Sequence, residues 1–161
     1  MQDDSRVITG HLLDFYNSMQ EAVKEAKKGW LKGEVPVGAV LIDRCGKIIS
    51  RDHNRCISLN DPTAHAEILV IRKAAKRLRN YRLNGTTMIV TIEPCPMCMG
   101  AIMNARLDEL VFGAFDPKSG AAGSVYNLAE DGKLRHRIQV SSGIMEKECQ
   151  DIMQEFFRER R

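Results

Sequence analysis

The chain predicts a three-layer α/β/α domain built on a central mixed sheet of five strands. Apolar residues recur at helical spacing near both ends of the chain. Short runs rich in β-branched residues alternate with helical segments through the middle. The first two runs are close enough for an antiparallel hairpin, whereas helices separate the later ones, which are therefore expected to run parallel.

Leu12, Phe15, Tyr16, Met19, Val23, Ala26 and Trp30 mark the first helix, which should stop near Gly33. Residues 1 to about 9 read as a short mobile arm, with His11 exposed beside it, and residues 10–161 as one domain. Residues 37–42, the turn Asp43-Arg44-Cys45-Gly46 and residues 47–49 read as a hairpin. Asp61-Pro62-Thr63 starts a helix expected over 64–78. A strand follows at 87–92, Pro94 breaks the chain, and 96–105 is a second short helix. Residues 110–112 form a strand, 113–123 a loop with three glycines, 138–140 a last strand and 144–160 a terminal helix.

The 161 residues are 43% hydrophobic and 28% charged, enough to bury a core without a disulfide framework. No run of 18 apolar residues is present, and Met1 to Arg6 lack the apolar region of a signal peptide, so the cytoplasm is the expected compartment and no membrane the expected setting. A net charge of +3 permits an acidic partner such as RNA without requiring one.

Five cysteines is an odd count, and only Cys95 and Cys98 are close together, which suggests metal or redox chemistry. Thr63-Ala64-His65-Ala66-Glu67 carries His-x-Glu, and thirty residues on Glu93-Pro94-Cys95-Pro96-Met97-Cys98 carries Pro-Cys-x-x-Cys. The pairing is already known as the mark of zinc-dependent nucleobase deaminases. Its chemistry is intelligible on its own terms. Two cysteines separated by two residues can reach one ion from the first turn of a helix, and His65 comes from the start of another. Three protein ligands leave a fourth position for water, as in catalytic zinc sites. Both helix N-termini would favour the thiolates. Glu67 is expected to reach that water as proton shuttle without being a ligand. The alternatives are a closed structural zinc with a fourth ligand from His53, Cys45, Cys56, His136 or Cys149, and a thioredoxin-like pair. The second would explain neither His-x-Glu nor the proline before Cys95.

Further segments carry a specific resemblance. Glu34-Val35-Pro36-Val37-Gly38-Ala39-Val40, Asn54-Arg55, Asp61 to Glu67, Asn80-Tyr81-Arg82-Leu83, Glu93 to Ile102, Phe112 to Ser124 and Phe156 to Arg161 are similar to the bacterial tRNA-specific adenosine deaminases of the cytidine/deoxycytidylate deaminase superfamily. Met99 and Phe115 are bulkier than the family pattern suggests. The resemblance implies a cytidine deaminase-like fold, one Zn²⁺ per subunit, a homodimer, and conversion of the anticodon wobble adenosine to inosine. It implies that Asn54 hydrogen-bonds the target base and that Asp116 contacts a ribose hydroxyl, which would favour RNA over DNA.

Ala66 and Pro94 are expected to line the site. Lys118, Arg135, His136, Arg137, Arg158, Arg160 and Arg161 are candidate phosphate contacts, with Phe156 and Phe157 as stacking partners for loop nucleotides. Against these stand plainer readings. Asn54 and Asp116 can hold their own turns, at least one phenylalanine should be core, and the basic cluster Lys73, Lys76, Arg77, Arg79 and Arg82 should be a solvated face. His53 could line the pocket or be structural. A free-base deaminase, guanine first, and a catalytically silent RNA-binding subunit with structural zinc are the competing functions.

Overall fold

The strand order of the sheet explains why the polar motifs collect at one rim. A computed structural model describes the backbone of residues 4–160 and the side chains of residues 14–160. The side chains of His11 and Arg161 lie outside that range. Along the chain come α1 (Asp4–Leu31), β1 (Gly38–Asp43), β2 (Ile48–His53), α2 (Cys56–Leu59), α3 (Ala66–Leu78), β3 (Thr86–Ile92), α4 (Pro96–Asn104), β4 (Glu109–Ala114), β5 (Gln139–Ser142) and α5 (Glu146–Arg158).

The five strands lie in the order β2-β1-β3-β4-β5. β1 is antiparallel to both β2 and β3, whereas β3, β4 and β5 are parallel. It follows that β2, β3 and β4 all point the same way, so their carboxyl ends share one rim of the sheet. The residues that leave that rim are Asn54, Glu93-Pro94-Cys95 and Phe115-Asp116, and α3 and α4 begin beside it. Ligand sites of α/β sheets favour such a rim.

Alternation within each strand builds the two cores. Ala39, Leu41, Met88, Val90, Leu110 and Phe112 face α3 and α4 through Ala66, Val70, Met99 and Ile102. Val40, Ile42, Ile89 and Val111 face Phe15, Met19 and Val23 of α1 and Cys149 and Ile152 of α5. Helices cover both faces, which is why the inner strands β1, β3 and β4 read as mostly apolar runs. α1 crosses β1 so closely at Gly38 that a Cβ there would collide with the Ala22 carbonyl.

Several boundaries differ from expectation. α1 reaches back to Asp4 through the segment read as an arm; residues 1–3 lie outside the described residues. The third helix starts at Ala66 rather than at residue 64. Asp61 accepts from the Thr63 amide (2.8 Å) and hydroxyl (2.7 Å), which fixes a turn there and leaves His65 extended at the N-cap. α2 has only four residues, too short for a periodic pattern. Gly113 belongs to β4, not to the following loop. α5 starts at Glu146, because Met145 holds a left-handed conformation with φ 55°. Among the described residues no helix is long and apolar enough to cross a membrane.

Candidate active site

Two helix starts meet at the rim. His65 is the N-cap of α3 and Cys95 the N-cap of α4, both with extended backbone, and Pro96 opens α4 so that Cys98 sits in its first turn. His65 Nδ1 lies 3.7 Å from Cys95 Sγ and 3.5 Å from Cys98 Sγ. A tetrahedral ion with the usual Zn–N and Zn–S bonds would hold its nitrogen and sulfur ligands about 3.6 Å apart. The donor set therefore fits zinc in both chemistry and spacing. Among the described residues no fourth His, Cys, Asp or Glu joins these three, which disfavours a closed structural site. Cys45, Cys56, Cys95, Cys98 and Cys149 are all free thiols.

The electrostatics suit a cation. Hydrogen bonding from Cys98, against the effect of burial and with help from His65, pulls the Cys95 thiol down to about 4. The same bond to Cys95, together with burial, pushes Cys98 up. Bonding to Cys95 raises the His65 imidazole in spite of burial. In the first turn of α3, Glu67 is only 3% exposed, and its carboxyl interacts with Cys98. Burial raises its carboxyl.

Asn54 and Ala66 sit at the site, but the roles expected for them change. Asn54 is buried, and its Oδ1 accepts from the Ala66 amide at 2.8 Å. The Ala66 N–H expected to line the site is thus engaged, and Asn54 presents its NH2 rather than a donor–acceptor pair. The bond satisfies a helix N-terminal donor between His65 and Glu67. Asn54→Ala should therefore lower stability by about 1–3 kcal/mol, because it orphans a buried amide. Asn54→Asp, which keeps the acceptor, should lose less in a urea titration.

The other candidates are distributed as follows. Pro94 is buried and its carbonyl accepts from Ala121 N–H at 2.8 Å. Asp116 is half-buried and holds its own turn, with Oδ1 accepting from the Lys118 (2.9 Å) and Ser119 amides and Oδ2 from the Ser119 hydroxyl. Burial acts to raise its carboxyl, but the Ser119 and Lys118 bonds prevail and lower it. Lys118 is exposed, as are Arg135 and Arg137, whereas His136 Nε2 contacts the Leu107 carbonyl. Phe156 is not a nucleotide platform: it is 3% exposed and packs edge-on against Trp30, with Arg160 stacked on its ring. Phe157 is 48% exposed and Arg158 pairs loosely with Glu155 at 3.6 Å.

His53 turns away from the pocket reading. It is buried with Nδ1 3.3 Å from Glu25 of α1. Lys73 pairs with Asp52 at 2.7 Å and Arg77 donates to the Ile49 carbonyl, so part of the basic cluster fastens α3 to β2. Met99 is core, and Phe115 stacks edge-on with Phe112.

Of the buried acids that escaped sequence reasoning, two hold segments beside the site. Glu34 accepts from the Ser58 (2.7 Å) and Ile57 (3.1 Å) amides and so fixes the segment after Asn54. Glu93 binds the segment that carries Asp116. The available signal was an acid flanking an apolar strand, Glu34 before β1 and Glu93 after β3.

Comparison with known proteins agrees with this geometry. The sequence pattern of the MafB19-like deaminase family matches residues 13–161. The tRNA-specific adenosine deaminase of Bacillus subtilis (strain 168) is 50% identical over 143 residues, covering 89% of this chain and 88% of that protein. A structure solved in work on A-to-I editing by tRNA:A34 deaminases at the wobble position of transfer RNA superposes with a TM-score of 0.82 at 44% identity, covering 84% of this chain and 98% of the other. The guanine deaminase of Bacillus subtilis superposes with a TM-score of 0.60 at 39% identity, over 67% of this chain and 69% of that one.

Proposed function

Because the chain belongs to the MafB19-like deaminase family and within it to the tRNA-specific adenosine deaminases, we propose that it converts adenosine to inosine in tRNA, at the wobble position of the anticodon. The observation that carries the reading is the open three-donor cluster of His65, Cys95 and Cys98 with the buried Glu67 beside it, on a chain so similar to such enzymes.

His65, Cys95 and Cys98 would hold one Zn²⁺ per subunit. When bound, zinc lowers the pKa of a water molecule from 15.7 toward about 7 and so supplies a nucleophile at neutral pH. Glu67 accepts the proton of the attacking water as oxygen adds to C6 of the adenine. It passes that proton to the ring nitrogen, then takes the remaining proton of the added hydroxyl and gives it to the departing amine, so that the C6–N bond breaks, a carbonyl forms, water is consumed and ammonia released. Burial supports this role, since a raised carboxyl is suited to both taking and giving a proton. The Asn54 NH2, braced by the bond to Ala66, donates to the base edge, and Pro94 and Ala66 form the wall beside the metal.

Asp116 and Lys118 meet the ribose and phosphates next to the target, and Phe157 and Arg158, both exposed, meet loop nucleotides. A single-stranded loop substrate fits, because its base leaves the stack at lower cost than a paired one. The reading includes a homodimer and work in the cytoplasm, with no DNA substrate and no membrane.

Incubation with an anticodon stem-loop bearing a wobble adenosine should yield inosine. Free guanine and free cytosine should release no ammonia. Ammonia from a free base, with the RNA unchanged, would instead establish a nucleobase deaminase.

A further inference from the structure

We propose that Glu93 is a positioning residue for this reaction: its buried carboxylate holds the substrate-side segment 116–124 onto the turn that carries Cys95. The meaning of this inference rests on the RNA-editing reading above, but its geometry does not.

Glu93 is 1% exposed and follows β3 directly. A carboxyl group in such a place needs hydrogen-bond partners. Among the described residues no cation pairs with it. Instead four donors from a single stretch of chain converge on it. The Asp116 amide donates to Oε2 at 3.0 Å, and the Ala122 and Ser124 amides donate to Oε1 at 2.9 Å each. The Ser124 hydroxyl also donates to Oε2. The Ala121 amide adds a bond to the Pro94 carbonyl at 2.8 Å, and the Glu93 amide donates to Ala114 at 2.8 Å. Gly120 passes so near that a Cβ there would collide with the carboxylate.

Both ends of the segment are thus tied to Glu93-Pro94, two residues from a donor of the metal cluster. Asp116 and Lys118 hang from this segment. Since Asp116 directs its carboxylate to its own turn, its place relative to the metal is set by the grip of Glu93 on its backbone. An apolar residue at position 93 could fill the space but could not gather three amides and a hydroxyl. The carboxylate therefore registers the RNA-facing loop against the reacting centre, and its loss should appear in substrate binding before it appears in the chemical step.

The test uses the full chain with two substitutions, Glu93→Gln and Ser124→Ala. Glu93→Gln turns one acceptor into a donor facing amides. Ser124→Ala is the milder change, removing one donor and leaving the carboxylate in place. Four quantities are read: metal per chain, hydrogen exchange of the Asp116, Ala122 and Ser124 amides without RNA, and both kcat and KM on the wobble-adenosine stem-loop. Glu93→Gln should retain its metal, exchange those amides at least about tenfold faster, and raise KM about tenfold while kcat changes less than about threefold. Ser124→Ala should shift exchange and KM the same way by about threefold. The proposal fails if the amides stay protected in both variants, if KM is unchanged in both, or if metal and activity are lost together in Glu93→Gln while Ser124→Ala matches the unsubstituted chain. Absence of inosine formation by the unsubstituted protein would refute the RNA-editing reading alone, because the exchange result needs no substrate.

Discussion

Glu67→Gln should lower inosine formation on the wobble-adenosine stem-loop by about a thousandfold, the usual scale for losing a positioned general acid–base group, while the chain keeps its metal. The substitution is nearly isosteric, and the position is 3% exposed at the start of α3, so shape and packing persist. What disappears is a group that can accept and return a proton within reach of Cys98. A glutamine still hydrogen-bonds, so binding of RNA should be close to unchanged and the loss should fall on kcat. Single-turnover conversion and metal per chain, measured on the same sample, decide the matter. Activity within about tenfold of the unsubstituted enzyme would remove Glu67 from the proton path.

The parts of this molecule that could be read in advance are those whose physics is local. His-x-Glu and Pro-Cys-x-x-Cys are legible because ligation by side chains on one helical turn demands fixed spacing. The inner strands are legible because burial on both faces leaves predominantly apolar runs in β1 and β3. Where distant segments meet, spacing is silent. Asn54 and Ala66 are twelve residues apart, and nothing in either segment announces that the amide oxygen caps the helix rather than the substrate. Glu93 and Ser124 are 31 apart, and their bond exists only because β3 and β4 are parallel neighbours whose following loops share a rim. Phe156 and Phe157 look alike in sequence, yet adjacent helical positions point in different directions, so one joins the Trp30 cluster and the other faces solvent.

Removing the metal should abolish turnover, and zinc should restore it with release of protons. The donors come from two helix N-caps and one first-turn position, so the ion would staple α3 to α4 at the point where Glu67 must sit. Zinc takes thiolates and neutral imidazole, and therefore competes with protons. Cys95, drawn to about 4, is already a thiolate at neutral pH. Cys98 is pushed well above neutrality by its bond to Cys95 and by burial, so it carries a proton that the ion must displace. His65, raised by the same cysteine, adds a further fraction as pH falls. The sign follows: affinity rises with pH, by about tenfold per unit for each proton displaced. Calorimetry of zinc binding to chelator-treated protein, in two buffers of different ionisation enthalpy at pH 7, should return at least about one proton released per ion, from the Cys95–Cys98 pair. Cys98→Ser should bind zinc weakly and show no turnover. Full activity after exhaustive chelation, or zinc uptake without proton release, would mean that these three side chains do not form the metal centre.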